Sequence, residues 1–248
     1  DWDGTGDYTA CCAAAGMALI DAPVDLIGHS GGAVAALQIA LARPELIRSL
    51  TLIEPVLFAA ARGCPEWQGH LDMMAPYKAA LDRGERMLAA ERFTEIWGTG
   101  APWADLGDPS RRYLADRIHL IDAGMPALAD DNFGILAEGR LEALDVPAMI
   151  IIGTDSPPII PCIAERIAER LPDVGLAEVP GARLVIAGTD SRNMAPLTQN
   201  IYRFIPVRAG PGDLARFHGT NERIGIDNYA ELIAFFHRLI TVSAIEGR

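Results

Sequence analysis

Gly28-His29-Ser30-Gly31-Gly32 sets a serine among glycines in the spacing G-x-S-x-G. That spacing belongs to a nucleophile elbow, a strained strand-to-helix turn tolerated only beside small residues, which lifts the serine hydroxyl clear of the sheet. The glycines let the backbone crowd. The N–H of Gly31, at a helix start, then faces the oxyanion that develops when Ser30 attacks a carbonyl. A serine attacks only with a base beside it, and the base needs an acid to orient it. Five histidines could serve: His29, His70, His119, His218 and His237. His29 is the elbow's own variable residue, and His119 and His237 fall in helical patterns that point to packing or surface positions. Four cysteines, Cys11, Cys12, Cys64 and Cys162, form no metal-ligand spacing and read as small, reduced side chains in a reducing, cytoplasmic compartment.

The elements that must position this serine are legible around it. Residues 24–27 are a short apolar run ending at Gly28, residues 31–42 are rich in Ala and Leu and stop before Pro44, and residues 50–53 are a second buried strand. This is a βαβ unit, which requires a parallel sheet and a right-handed crossover. From residue 58 to about 136 the pattern is helical, with segments at 73–90 and 109–121 and no strand-like alternation. Strand logic returns at 146–153, then a helix at 158–171 closed by Pro172, then a strand at 176–179. The middle region is therefore an insertion at the carboxyl ends of strands, where a lid sits.

Composition agrees with that plan. The chain has 248 residues, half of them apolar, with 24 Gly, 17 Pro and 22% charged residues, the profile of one globular domain, or of one domain plus an inserted cap, with a large buried core. The formal charge is −12 and Lys78 is the only lysine among 21 basic residues, so no basic run tracks a phosphate backbone and nucleic acid is not expected as a partner. No apolar stretch approaches the ~20 residues of a spanning helix, and no membrane contact is expected. The amino terminus has neither Met nor a basic-then-apolar leader, which suggests that sequence has been removed upstream.

Asp1-Trp2-Asp3-Gly4-Thr5-Gly6 resembles the D-x-x-G-x-G loop that precedes the elbow in the α/β-hydrolase superfamily. Residues 52–58, 92–101 and Gly153-Thr154-Asp155-Ser156-Pro157 are similar to one bacterial subgroup of it. The resemblance covers residues 1 to about 182. It implies an α/β fold with an α/β-hydrolase-like parallel sheet, truncated at its start, and an inserted helical cap. It also implies serine chemistry on an ester-like or similar small apolar substrate, without a cofactor. The family's acid follows one of two strands, so Asp155, in the commoner place, and Glu54 are both candidates. In the similar subgroup the position of Asp155 is not reserved for an acid, and a carboxylate in an apolar strand end such as Glu54 needs a partner. The family's first strands and second oxyanion donor would precede Asp1. The strand at 24–27 would then be an exposed edge open to self-association, unless residues 183–187 pair with it.

The family's histidine belongs in a segment like P-G-A-G-H-M-x-P-L-T. Here Pro180-Gly181-Ala182 and Met194-Ala195-Pro196-Leu197-Thr198 flank that place, and the position holds Leu184 or Asn193, neither of them a base. Residues 188–192, 201–207 and 217–224, followed by a helix at 228–239, resemble instead the carboxy-terminal end of di-zinc aminoacylase and carboxypeptidase-type metallopeptidases. That resemblance implies a zinc-ligand role for the histidine matching His218. One ligand makes no zinc site, and Gly69-His70-Leu71-Asp72 is a chance match to that family's H-x-D, so no metal is expected. The chain thus divides into a first core part with the elbow (1–57), a helical cap (58–136), a second core part (137–182), a non-family α/β tail (183–241) and an added end (242–248), where Ile245-Glu246-Gly247-Arg248 resembles a factor Xa recognition site. Three readings follow: a serine hydrolase using Ser30, Gly31, Glu54 or Asp155, and His218 recruited as base; an inactive recombined or engineered hybrid; and a fragment of a metal-dependent peptidase.

Overall fold

The computed structural model describes residue 2 and residues 4–98 and 102–180. Within them four strands form one parallel sheet in the order β1 (Val24–His29), β2 (Ile47–Ile53), β3 (Ala148–Gly153) and β4 (Val174–Val179). Each strand lies beside its successor in sequence, as right-handed crossovers in one direction require. Among the described residues β1 is therefore an edge of the sheet.

Between β1 and β2 runs α2 (Gly31–Ala42). Its Ala and Leu residues are strong helix formers, and it ends at Arg43 because Pro44 disfavours helical backbone in the residue before it. Its Ala33, Val34, Leu37 and Ala40 are wholly buried. Between β3 and β4, α7 (Ile159–Ala168) buries Ile160, Ile163 and Ile167 against the same core. Across the register, Gly28, Leu52 and Ile150 share one covered face. On the other face Ile27 and Met149, both paired with Thr51, are 49% and 40% exposed. Each fully buried Leu or Ile on the covered face contributes about 1.5–3 kcal/mol of transfer free energy.

Before β1 lies α1 (Tyr8–Met17), which packs on α2. The Asp7 carboxylate caps it by accepting from the Ala10 N–H at 2.8 Å, and also accepts from Asn132 Nδ2 at 3.0 Å.

Among the described residues, the α-helices between β2 and β3 belong to one insertion: α3 (Glu66–Asp82), α4 (Arg86–Trp97), α5 (Asp108–Arg117) and α6 (His119–Leu128). Two expectations are corrected here. The helix read across 73–90 is two helices, because Gly84 takes φ 75° and closes α3 with a Schellman motif: Gly84 N–H donates to Leu81 C=O and Glu85 N–H to Ala80 C=O. The helix read across 109–121 likewise breaks at Ile118, between α5 and α6.

Candidate functional site

Three chain segments leave the carboxyl ends of adjacent strands in a staircase. Ser30 N–H donates to Ile53 C=O of β2 at 2.9 Å, Glu54 N–H donates to Ile151 C=O of β3 at 2.8 Å, and Thr154 N–H donates to Val179 C=O of β4 at 3.1 Å. Ser30, Glu54 and Thr154-Asp155 therefore stand at one end of the sheet, at successive strand termini.

Ser30 has φ 56° and ψ −125°, a backbone state outside the wells open to residues with a β-carbon, and it is both the residue after β1 and the N-cap of α2. Its hydroxyl makes no capping bond to the helix. The turn is enforced from below, where a β-carbon on Gly28 would lie 2.4 Å from Gly32 O and 2.6 Å from Ala33 Cα, so only glycine fits. The expectation that the elbow's glycines all serve backbone crowding holds for Gly28 alone. A β-carbon on Gly31 or Gly32 meets nothing within 4 Å. The Gly31 N–H lies in the first turn of α2, where helical N–H groups have no partner within the helix and the dipole favours negative charge.

The two candidate acids differ sharply. Glu54 is buried, 6% exposed, with φ 45°. Its Oε1 accepts the Gly153 N–H at 3.0 Å and the Ser156 hydroxyl. A carboxylate offers about four acceptor sites, so these two bonds do not exhaust it. Asp155 is exposed, and Thr154 Oγ1 lies 3.4 Å from its Oδ1. Burial and hydrogen bonding thus distinguish Glu54, whose local signal in the sequence was one acid at the end of an apolar strand. His218, Leu184, Asn193 and residues 183–187 lie outside the described residues.

In the helical insertion His70 is buried among aromatic rings, stacked on Phe58 at 4.5 Å, with Trp67 at 6.0 Å and Trp97 at 6.2 Å. Burial holds its pKa below the usual imidazole value, and its Nδ1 has no hydrogen-bond partner. Trp97 Nε1 donates to Met74 Sδ at 3.3 Å, and Trp103 packs in a separate cluster around Tyr77 and Ile118. These rings fill the insertion's interior. The reading of the cysteines is corrected for two of the four: Cys64 and Cys162 are joined as a disulfide, while Cys11 and Cys12 are free and exposed. A sequence separation of 98 hid that pairing. No helix among the described residues is long and apolar enough to cross a membrane.

Residues 1–196 match the family described as the alpha/beta hydrolase family. Among solved structures, the chain is similar to Est816, described as an N-acyl homoserine lactone degrading enzyme, at 18% identity and a TM-score of 0.50, over 74% of this chain and 70% of that one; the likeness bears on the fold. A curated relative, the N-fatty-acyl-amino acid synthase/hydrolase PM20D1.1 of Danio rerio, is 42% identical over 85 residues, 34% of this chain and 16% of that protein. The probable carboxypeptidase S-like 2 of Dictyostelium discoideum is 42% identical over 78 residues, 32% of this chain and 14% of its own. The matched stretches are thus small fractions of those two relatives' lengths.

Proposed function

The chain belongs to the alpha/beta hydrolase family, and from that premise we propose that it is a serine hydrolase acting on a small apolar ester or similar acyl compound. The observation that carries this reading is Ser30, held at φ 56° between β1 and α2 with its hydroxyl unused by the helix. Strain of this kind persists where a nucleophile must be presented and the surrounding packing enforces it. Ser30 Oγ attacks the acyl carbon and passes its proton to a base, and the Gly31 N–H donates to the resulting oxyanion. The alcohol leaves with that proton. Water then attacks the acyl-serine, returning the proton to Ser30 and releasing the acid. In this reading His218 is the base and Glu54, in preference to exposed Asp155, is the acid. The substrate is a free small molecule, the enzyme needs no cofactor or metal, and its compartment is cytoplasmic. The sheet edge at β1 is a surface for self-association.

A chromogenic short-chain ester assay on wild type, Ser30→Ala and His218→Ala tests this. Wild-type turnover lost in both variants is expected. Equal rates in wild type and Ser30→Ala would end the catalytic claim.

A second reading is favoured by two resemblances, one to the hydrolase family over residues 1–196 and one, over stretches of 78–85 residues, to relatives that include a probable carboxypeptidase. In it the chain is a joined hybrid whose tail, residues 188–240, is a metallopeptidase fragment, and the serine is presented without turnover. Stoichiometric labelling of Ser30 by a fluorophosphonate separates the two, since an unactivated serine stays unlabelled.

A further inference from the structure

Apart from the strand ends, the chain brings three metal-ligating side chains together from distant parts of the sequence. Cys64 follows the 3-10 turn Phe58–Ala61 at the start of the insertion, Glu66 opens α3, and Cys162 lies in α7 of the core. One ligand atom from each lies within 4.8 Å of the others. The two sulfurs are bonded to each other, and their Cα atoms are 6.8 Å apart, at the long end of what a disulfide spans.

We propose that Cys64, Cys162 and Glu66 form a redox-gated site for a zinc-class divalent cation, which clasps the start of the helical insertion to α7. A tetrahedral ion bonded to two sulfurs at about 2.3 Å holds them roughly 3.8 Å apart. Side-chain rotation reaches that separation once the sulfur–sulfur bond is open. Cys64 lies one residue before Pro65, the N-cap of α3, where a helix N-terminus favours thiolate over thiol. Two thiolates select a soft cation over magnesium or calcium, and the carboxylate of Glu66 supplies the third ligand. Water completes the tetrahedron on the solvent side.

The two states exclude one another. A dithiol reductant gives two electrons and two protons, becoming a disulfide itself, while the Cys64–Cys162 bond breaks to two thiols. The cation then displaces both thiol protons to solvent. In a reducing compartment the thiol state prevails and the site is open to metal.

The test uses the full chain with Cys11→Ser and Cys12→Ser, so that no other pair of adjacent thiols competes. After reduction with dithiothreitol, its removal under argon and incubation with zinc, metal analysis is expected to find about one zinc per chain. Oxidation with diamide should release it. Glu66→Gln should weaken binding by about tenfold or more in competition with a chromophoric chelator. Because Cys162→Ser alters a buried position, a second measurement keeps all four cysteines: zinc should protect Cys64 and Cys162 from iodoacetamide while Cys11 and Cys12 react. The proposal is overturned by less than about one tenth of a zinc per reduced chain, by full zinc retention after oxidation, by Glu66→Gln binding as tightly as its parent, or by equal alkylation with and without zinc.

Discussion

Ser30 and Glu54 are the same structural position repeated on neighbouring strands. Each is the first residue past its strand, each has positive φ (56° and 45°), and each donates its amide to a carbonyl of the next strand over. The sheet therefore fixes both side chains relative to one another before any substrate arrives. Such backbone states cost about 1–3 kcal/mol apiece in a residue with a β-carbon. Ser30→Gly removes that strain and the hydroxyl together. It should abolish ester turnover while leaving the unfolding free energy unchanged or raised by up to about 1 kcal/mol after glycine's own entropic cost, read from denaturant melts. A clear loss of stability in Ser30→Gly would mean that the hydroxyl, not the backbone, holds the turn.

Glu54 has two separable roles, and two substitutions divide them. Glu54→Ala leaves the buried Gly153 N–H and the part-buried Ser156 hydroxyl without their shared acceptor, at about 1–3 kcal/mol for the buried group and less for the part-buried one, and should destabilise the fold by about 2–4 kcal/mol. Glu54→Gln keeps an acceptor oxygen and the shape but loses the charge that would stabilise an imidazolium. Its stability should fall less, with kcat reduced by roughly a hundredfold or more. Asp155→Asn, at an exposed position, should keep kcat within about threefold of wild type. The reverse ranking would assign the acid to Asp155.

Gly28→Ala should be among the most damaging single methyl additions in the chain. The new carbon would lie 2.4–2.8 Å from backbone atoms of Gly32 and Ala33, which cannot yield without moving α2 off the sheet. A cost of about 3 kcal/mol or more is expected, read as a lowered urea midpoint or loss of soluble protein. Gly31→Ala has open space for its methyl and should fold normally.

Which parts of this arrangement could be read from sequence follows from how local their causes are. The limits of α2 were legible to the residue, because Gly31 and Pro44 bound it within one stretch of chain. The strand-to-helix turn at Ser30 was legible for the same reason. Gly84 misled, since a glycine inside a helical pattern costs only about 1 kcal/mol and does not by itself say whether the helix continues or ends. In the structure Gly84 ends α3 through the Schellman bonds to Leu81 and Ala80, and α4 turns back to pack on α3. The helix α1 carries a local signal of the same kind, Asp7 before an alanine-rich run. Glu54 was legible only as an acid at an apolar strand end; its Gly153 partner, 99 residues away, and the Cys64–Cys162 pair, 98 residues apart, lay beyond the reach of spacing or periodicity.

His70 should make the helical insertion acid-sensitive. Its imidazole is buried against Phe58, Trp67 and Trp97, and desolvation lowers its pKa because the apolar surroundings disfavour the charged form. The unfolded chain takes up a proton near pH 6.5, and the folded site takes it up only at lower pH. Between those values the unfolded state binds more protons, so stability is fully present above about pH 6.5 and falls as the pH drops toward the folded value. His70→Phe keeps a ring on Phe58 and has no proton to gain. Urea midpoints measured from pH 8 to pH 5 should fall more steeply for wild type than for His70→Phe. The two should differ least, within roughly 1 kcal/mol, at pH 8, where both rings are neutral. Parallel pH profiles would show that His70 reaches water in the folded chain and takes up its proton there as readily as in the unfolded one.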